Sequence, residues 1–251
     1  MRAMRIDLVT LFPGFFHWPF GHSLLKRAQS QEKVEFHLHN PRDFTGDRHR
    51  TVDEKPFGGG AGMVLKPEPI LRCVEALAQK RGAGFVILLS PRGEPFTQGL
   101  ARRLARKKHL TLICGHYEGV DERVSEELVD QEISVGDFVT MGGEAPALCL
   151  VEAVTRLIPG VLGNPESLKE ESFSNPRNGT LGKRLEFPQY TRPRVFRGLE
   201  VPAVLLSGNH RAIEAWRKEE SRRVTLRNRP DLLKGLRVVR HKHRKGGGDP
   251  S

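Results

Sequence analysis

Residues Phe85–Arg123 read FVILLSPRGEPFTQGLARRLARKKHLTLICGHYEGVDER. Two short, largely apolar runs, Phe85–Leu89 and Leu110–Cys114, have the length and composition of buried strands. Between them Thr97–Lys107 repeats its apolar residues at helical spacing, with Thr97 placed to cap. A strand, a helix and a second strand in this order form a βαβ unit, whose strands lie parallel in one sheet. The loops that leave the two strands, LLSPRGEPFTQ from Leu88 and ICGHYEGVDER from Ile113, therefore open at the carboxyl edge of the sheet, where open α/β folds bind ligands.

The same alternation extends in both directions. Ile6–Leu11 and Val34–His39 read as strands; Ser23–Ser30, Pro67–Arg81, Asp121–Val129 and Ala145–Leu157 read as helices, with Ser23 and Asp121 as further N-caps. A third loop, SVGDFVTMGGE at Ser134–Glu144, follows another short strand. The pattern predicts an α/β layer structure with a mainly parallel sheet over residues 1–160. A polar stretch rich in Gly, Pro and Asn, residues 161–182, suits a linker. Residues 183–251 carry a helix near Ile213–Thr225, capped by Asn209, a shorter one near Pro230–Leu236, and the tail HKHRKGGGDPS, whose composition predicts disorder.

Charge separates the two halves. Lys and Arg balance Asp and Glu at 23 each over residues 1–182, whereas residues 183–251 hold 18 against 7, so the whole net charge of +11 lies in the carboxyl-terminal part. Such a block is the footprint of a surface held against a polyanion, although a solvated basic helix has the same composition. No apolar run approaches the roughly 20 residues that span a bilayer. Asp7 interrupts the apolar amino terminus, which reads as a buried first strand and not as a signal peptide. Cys73, Cys114 and Cys149 are odd in number and widely spaced, which argues against a disulfide framework or zinc site and for the cytoplasm.

The glycine cluster FGGGAGM at Phe57–Met63 matches neither a phosphate loop nor a dinucleotide fingerprint, since no Gly-Lys-Ser/Thr ends it and no strand leads directly into it. It serves either a turn or the wall of a site. Three Gly-containing loops after successive strands point together to a cofactor pocket, although each alone is an ordinary strand-to-helix turn.

The strings RDFTGDRHRTVDEKPFGGGAGM, LLSPRG, GHYEGVDERV, ISVGDFVTMGGE, YTRP and VPAVLLSGNH, in this order and spacing, closely resemble the bacterial tRNA (guanine-N1)-methyltransferase family over nearly the whole chain except the tail. The resemblance implies an α/β methyltransferase domain of the SPOUT superfamily with a deep trefoil knot, which no periodicity reveals. It implies an obligate homodimer with active sites at the subunit interface, and a small helical carboxyl-terminal domain that grips the tRNA anticodon stem-loop. Carried over by position, the S-adenosylmethionine pocket consists of Leu88, Ser90, Pro91, Gly115, Ser134, Val135, Gly136, Asp137, Phe138, Val139, Thr140, Gly142 and Gly143. A carboxylate such as Glu118 or Asp137 would favour the cationic sulfonium.

Guanine N1 carries a proton, so its methylation needs a general base and stabilisation of the charge that develops on the ring and O6. The resemblance gives the second part to Arg156. It gives the first to Glu171 in KEESF, where the family has aspartate; Glu166 and Glu170 are close rivals. Magnesium is compatible with the resemblance, but no cluster of ligands in the sequence demands a metal. A ribose 2′-O-methyltransferase of the same superfamily and a non-catalytic RNA-binding protein are the alternative readings; the first needs no guanine pocket, and the second would not respond to S-adenosylmethionine.

Overall fold

The computed structural model describes residues 3–164, 166–174 and 184–233, and the chain divides into two compact units, Met1–Pro165 and Glu166–Ser251. The tail and the end of the Pro230–Leu236 helix lie outside the described residues.

The first unit runs β1 (Met4–Val9), α1 (Gly14–Phe20), α2 (Ser23–Ser30), β2 (Val34–His39), β3 (Asp53–Glu54), β4 (Val64–Leu65), α3 (Pro67–Arg81), β5 (Phe85–Pro95), α4 (Gln98–Leu104), β6 (His109–Cys114), α5 (Glu122–Leu128), β7 (Gln131–Ser134) and α6 (Glu144–Thr155). Its five-stranded sheet has the order β2-β1-β6-β5-β7, and every neighbouring pair is parallel. Thr97 and Asp121 cap α4 and α5 as expected, their side chains accepting from the N–H groups of Leu100 and Arg123. Ser23 does not cap: it lies inside α2 with φ 49°, and His22 precedes the helix without a side-chain cap. The first strand is displaced two residues towards the amino terminus, because Phe12, Pro13 and the helix α1 follow where the apolar run suggested more strand.

Strand periodicity divides the core. Met4, Ile6, Leu8, Ile87, Leu89, Leu110, Leu112 and Cys114 face one side, buried with Phe16, Leu25, Leu100, Leu104, Leu150 and Val154 from α1, α2, α4 and α6. Val9, Val86, Leu88 and Ile113 face the other, with Ile70, Val74 and Leu77 of α3 and Val124 of α5. Helices thus cover both faces, the condition under which an all-parallel sheet buries continuous apolar strands.

β5 is longer than its apolar run. It pairs with β7 at Ile87–Leu89, shifts register, and pairs again at Glu94 and Pro95, so that Ser90–Gly93 bulge out between the two stretches. Gly93 lies so close to β7 that a Cβ there would stand 2.4 Å from the Ile133 nitrogen. A second close approach holds the start of α6 on β6: the Gly143 N–H donates to the Gly115 carbonyl at 2.7 Å, and a Cβ on Gly143 would lie 2.7 Å from the Cys114 Cα.

The second unit begins with α7 (Ser167–Glu170) and continues through the hairpin β8 (Val195–Phe196) and β9 (Leu199–Glu200), α8 (Ala203–Leu206) and α9 (His210–Asn228). Asn209 caps α9, accepting from the Ala212 N–H at 3.1 Å. Two buried hydroxyls on α9 hold the irregular segment around Leu185: Ser221 donates to the Leu185 carbonyl at 2.6 Å, and Thr225 accepts from the Leu185 N–H at 2.9 Å. Phe187 lies under the Arg217 guanidinium, and the Tyr190 and Trp216 rings stand 6.2 Å apart. Lys218, Arg222 and Arg223 pair with Glu214, Glu219 and Glu220 along α9, exposed pairs that contribute little stability.

Asp7, whose side chain is fully buried on the α3 side of the sheet, takes hydrogen bonds from Arg5 at 2.6 and 2.8 Å, His39 at 2.6 Å and His109 at 2.5 Å. Burial alone would raise its carboxyl, but the bonds from His39, Arg5 and His109 outweigh burial and hold it well below the usual carboxylate range. This lowered group contributes its full stability above the unfolded carboxylate range near pH 4 and loses it progressively as pH falls from there towards the much lower folded value. Asp7→Asn leaves three donors around a neutral amide and should destabilise the first unit by about 3–5 kcal/mol at pH 7. Urea unfolding at a series of pH values should show the gap between wild type and variant narrowing below about pH 4; a constant gap down to pH 2 would contradict the account.

Candidate active site

The bulge of β5, the loop after β6 and the loop after β7 enclose a cleft of about 430 Å³ at the carboxyl edge of the sheet. Its size and mixed apolar and main-chain lining are those of a small-molecule site. The loops are set by short polar contacts. Ser90 accepts from the Arg92 N–H at 3.2 Å, Ser134 donates to the Gly136 carbonyl at 2.9 Å, and Thr140 donates to the Gly142 carbonyl at 2.8 Å. An isolated antiparallel bridge joins His116 to Gly142, which extends the Gly143–Gly115 contact by one residue.

The structure brings most of the expected cofactor residues to this cleft: Leu88, Ser90 and Pro91 from the first loop, Gly115 from the second, and Ser134, Val135, Phe138, Val139, Thr140, Gly142 and Gly143 from the third. Glu118 lines it as well. Gly136 and Asp137 are not in the lining; Asp137 is exposed, so Glu118 is the carboxylate that the cleft itself offers. The glycine cluster meets this carboxylate. The Glu118 N–H donates to the Met63 carbonyl at 3.0 Å, and a Cβ on Gly62, at φ 80°, would fall 2.4 Å from a Glu118 carboxylate oxygen. No residue of FGGGAGM is in the cleft lining; Gly62 packs against the lining residue Glu118, while Gly58 and Gly59 stand in open space.

Sequence reasoning missed several lining residues, among them Arg92, His116, Tyr117, Met141 and Pro146. All lie within or next to the quoted loops, so their neighbourhood was legible; their orientation was not. Tyr117 adopts φ 60°, which no residue-type rule would assign to tyrosine. His116 is set by a distant part of the chain. Glu144, buried at the start of α6, accepts from the Thr10 hydroxyl at 2.8 Å and stands 3.8 Å from His116 Nδ1, while Phe12 packs 4.8 Å from the imidazole. Arg92 is held by Glu122 at 2.8 Å and Glu132 at 3.3 Å.

The expected catalytic residues other than Glu118 lie elsewhere. Arg156 follows the last residue of α6, roughly 18 Å along that 12-residue helix from Glu144. Glu166, Glu170 and Glu171 belong to the second unit. Glu166 pairs with Lys169 at 2.7 Å and Glu170 with Arg217 at 3.6 Å. Glu171, half-buried, follows the last residue of α7, and the backbone around it is tied down: the Phe173 N–H donates to the Arg184 carbonyl and the Glu186 N–H to the Ser172 hydroxyl.

Among the described residues no three His, Cys, Asp or Glu side chains converge to hold a metal ion, and no helix is long and apolar enough to cross a membrane. Cys73, Cys114 and Cys149 are free thiols. Burial, and then the charges of Asp7 and Asp43, push the Cys73 thiol up to about 12, and burial likewise raises Cys114, so neither is a ready nucleophile.

Comparison with known proteins identifies the family. Residues 4–235 match the family model described as tRNA (Guanine-1)-methyltransferase TrmD. A curated tRNA (guanine-N(1)-)-methyltransferase of Carboxydothermus hydrogenoformans is 54% identical over 92% of this chain and 88% of that protein. Proteins of the same name from Dictyoglomus turgidum and Alkaliphilus metalliredigens are 54% and 49% identical, over 92% and 95% of this chain and 90% and 95% of their own length. With a match that spans both units and every loop of the cleft, the chain belongs to the tRNA (guanine-1)-methyltransferase family.

Proposed function

We propose that this protein transfers the methyl group of S-adenosylmethionine to N1 of the guanine 3′-adjacent to the tRNA anticodon, position 37, giving 1-methylguanine. The observation that carries the reading is the cleft itself: within a chain of this family, all but two of the residues assigned to the cofactor line one cavity at the carboxyl edge of a parallel sheet. When bound, S-adenosylmethionine supplies a methyl group on a cationic sulfur. Main-chain groups of Gly115 and of the 134–143 loop would hold the cofactor, and the Glu118 carboxylate would favour its cationic form over the neutral product. A deep trefoil knot is consistent with the two backbone approaches at Gly93 and Gly143, where chain lies on chain without room for a Cβ.

In the proposed reaction Glu171 would take the proton from N1 as the methyl group passes to that nitrogen, with S-adenosylhomocysteine as the leaving group. Arg156 offsets the negative charge that develops at O6. Arg156 lies outside the cleft of its own chain, which favours a homodimer with each active site completed by a second copy. Trp18 on α1 and Phe12 just before that helix, exposed apolar side chains outside the cleft lining, favour the same assembly, since exposed apolar patches mark interaction sites. The basic second unit would hold the anticodon stem-loop; Arg192, Arg194 and Arg211 have no acidic partner among the described residues. The cytoplasm, where tRNA is modified, is the matching location, and the chemistry as drawn needs no divalent ion.

Three outcomes follow from this assignment. Gly143→Ala forces the Cys114–Gly115 backbone away from α6 and should weaken S-adenosylmethionine binding by at least about tenfold in calorimetry, the equivalent of roughly 1.4 kcal/mol; unchanged affinity would remove the cleft from cofactor binding. Arg156→Ala should lower the single-turnover rate by roughly 10²–10³-fold with much smaller loss of tRNA affinity, and Arg156→Lys should rescue only in part because it lacks the planar fork. Glu171→Gln should bind both ligands and methylate very slowly, whereas Glu171→Asp retains clear activity. Wild-type single-turnover rates in Glu171→Gln would exclude Glu171 and turn attention to Glu166 and Glu170.

A further inference from the structure

The opposite edge of the sheet carries a second cavity, of about 900 Å³, whose lining includes Arg5, Lys33, Arg106, Lys107 and Lys108 against only Glu32 and Glu35. This excess lies within a part of the chain whose charges balance overall, at 23 to 23 over residues 1–182. The cations come from three chain segments at the amino ends of three neighbouring strands: Lys33 precedes β2, Arg5 lies in β1, and Arg106–Lys108 precede β6. At the usual separation of about 4.8 Å between strands, they form a row roughly 10 Å long.

The row is built into the fold. Main-chain bonds of 2.9 Å from Met4 to the Lys33 carbonyl and from Arg5 to the Lys108 carbonyl fix its turns to β1. The Arg5 guanidinium is gripped through two bonds by the buried Asp7, which also holds His109, another lining residue, so a carboxylate behind the cavity wall orients two of its donors. Lys107 stands 4.0 Å above the centre of the Phe85 ring. Lys33, Arg106 and Lys108 have no acidic partner among the described residues, while Glu35 hydrogen-bonds with His37 at 3.3 Å and its charge also acts on Arg5. Compensation of the α4 dipole does not account for them, because Arg102 and Arg103 already occupy the last turn of that helix and Lys33 and Arg5 belong to other elements.

We propose that this basic cleft at the amino edge of the sheet binds consecutive phosphates of the tRNA backbone, a contact separate from both the cofactor cleft and the basic second unit. A single phosphate would use only part of a row of this length, whereas a sugar-phosphate strand presents a series of them. Backbone contacts of this kind position a nucleic acid without reading its sequence. The occupant rests on the tRNA substrate proposed above; the site rests on the cavity alone.

The test uses the full chain with Lys33→Ala, Arg106→Ala and Lys108→Ala combined, and measures tRNA binding by fluorescence anisotropy across a range of potassium chloride concentrations. Each lost phosphate contact lowers the slope of log affinity against log salt by about 0.7–0.9, so the triple variant should be flatter by about 2–3 and bind at least roughly tenfold more weakly in low salt. Its affinity for S-adenosylmethionine should equal that of wild type. Arg106→Ala/Lys108→Ala, which changes only exposed side chains, should flatten the slope by about 1.5 and guards against a folding defect at half-buried Lys33. Wild-type affinity and slope in both variants would overturn the proposal. So would loss of binding to inorganic tripolyphosphate with full tRNA affinity, which would make the cleft a site for small anions. If wild-type protein itself fails to bind tRNA, the proposed function fails, and tripolyphosphate binding still reports on the cleft.

Discussion

The contact between Gly143 and the Cys114–Gly115 backbone is the constraint on which the rest of the first unit depends. At 2.7 Å from N–H to carbonyl, with no space for a Cβ, it locks the start of α6 against the end of β6. That lock draws the 134–143 loop across the edge of the sheet, and the register shift in β5 draws Ser90–Gly93 up to meet it. The cleft is the space these two deviations from regular structure leave between them. Rigid strands beneath and main-chain bonds within the loops pre-organise it, which is what small-molecule binding at low entropic cost requires.

Electrostatics divides the unit by end. The carboxyl edge is nearly neutral, with Glu118 in the lining and Glu144 sequestered behind it by Thr10; its cations are few, and Arg92 is held by two glutamates. The amino edge is strongly basic, and its organising group is Asp7, an ionised carboxylate with no exposure of its own. An unpaired buried charge would be severely destabilising, but three donors surround this one, so the same group that permits burial also orients Arg5 and His109. One sheet thus separates a cofactor-sized cleft from a polyanion-sized one.

The sequence made the framework legible where periodicity was strong. The bounds of β2, α2 and α3 read from apolar spacing coincide with those in the structure, and Thr97, Asp121 and Asn209 cap as their residue types predict. It failed where local rules meet long-range packing. The aromatic stretch with Pro13 and Pro19 has no clean period, and α1 went unread. Ser90–Pro95 looks like a turn, yet its end rejoins the sheet because β7 offers a shifted register. Ser23 has the chemistry of a cap but sits one residue too late. At the site, positional likeness found the loops, while the placing of His116 depends on Thr10 and Glu144, residues 134 apart in sequence, which no motif connects. Asp7 in the first strand read only as an interruption of an apolar run; Arg5 lies two residues away in the same strand, but His39 and His109 become its neighbours only through strand order.

The central claim is that the carboxyl-edge cleft serves methyl transfer to one ring nitrogen of guanine. Purified protein incubated with labelled S-adenosylmethionine and a tRNA anticodon stem-loop transcript, followed by nuclease digestion and mass spectrometry, tests it directly. The account predicts label on N1 of the guanine immediately 3′ of the anticodon and none on a transcript with adenine there. Label on a ribose 2′-oxygen, or no incorporation by protein that demonstrably binds both ligands, would contradict it.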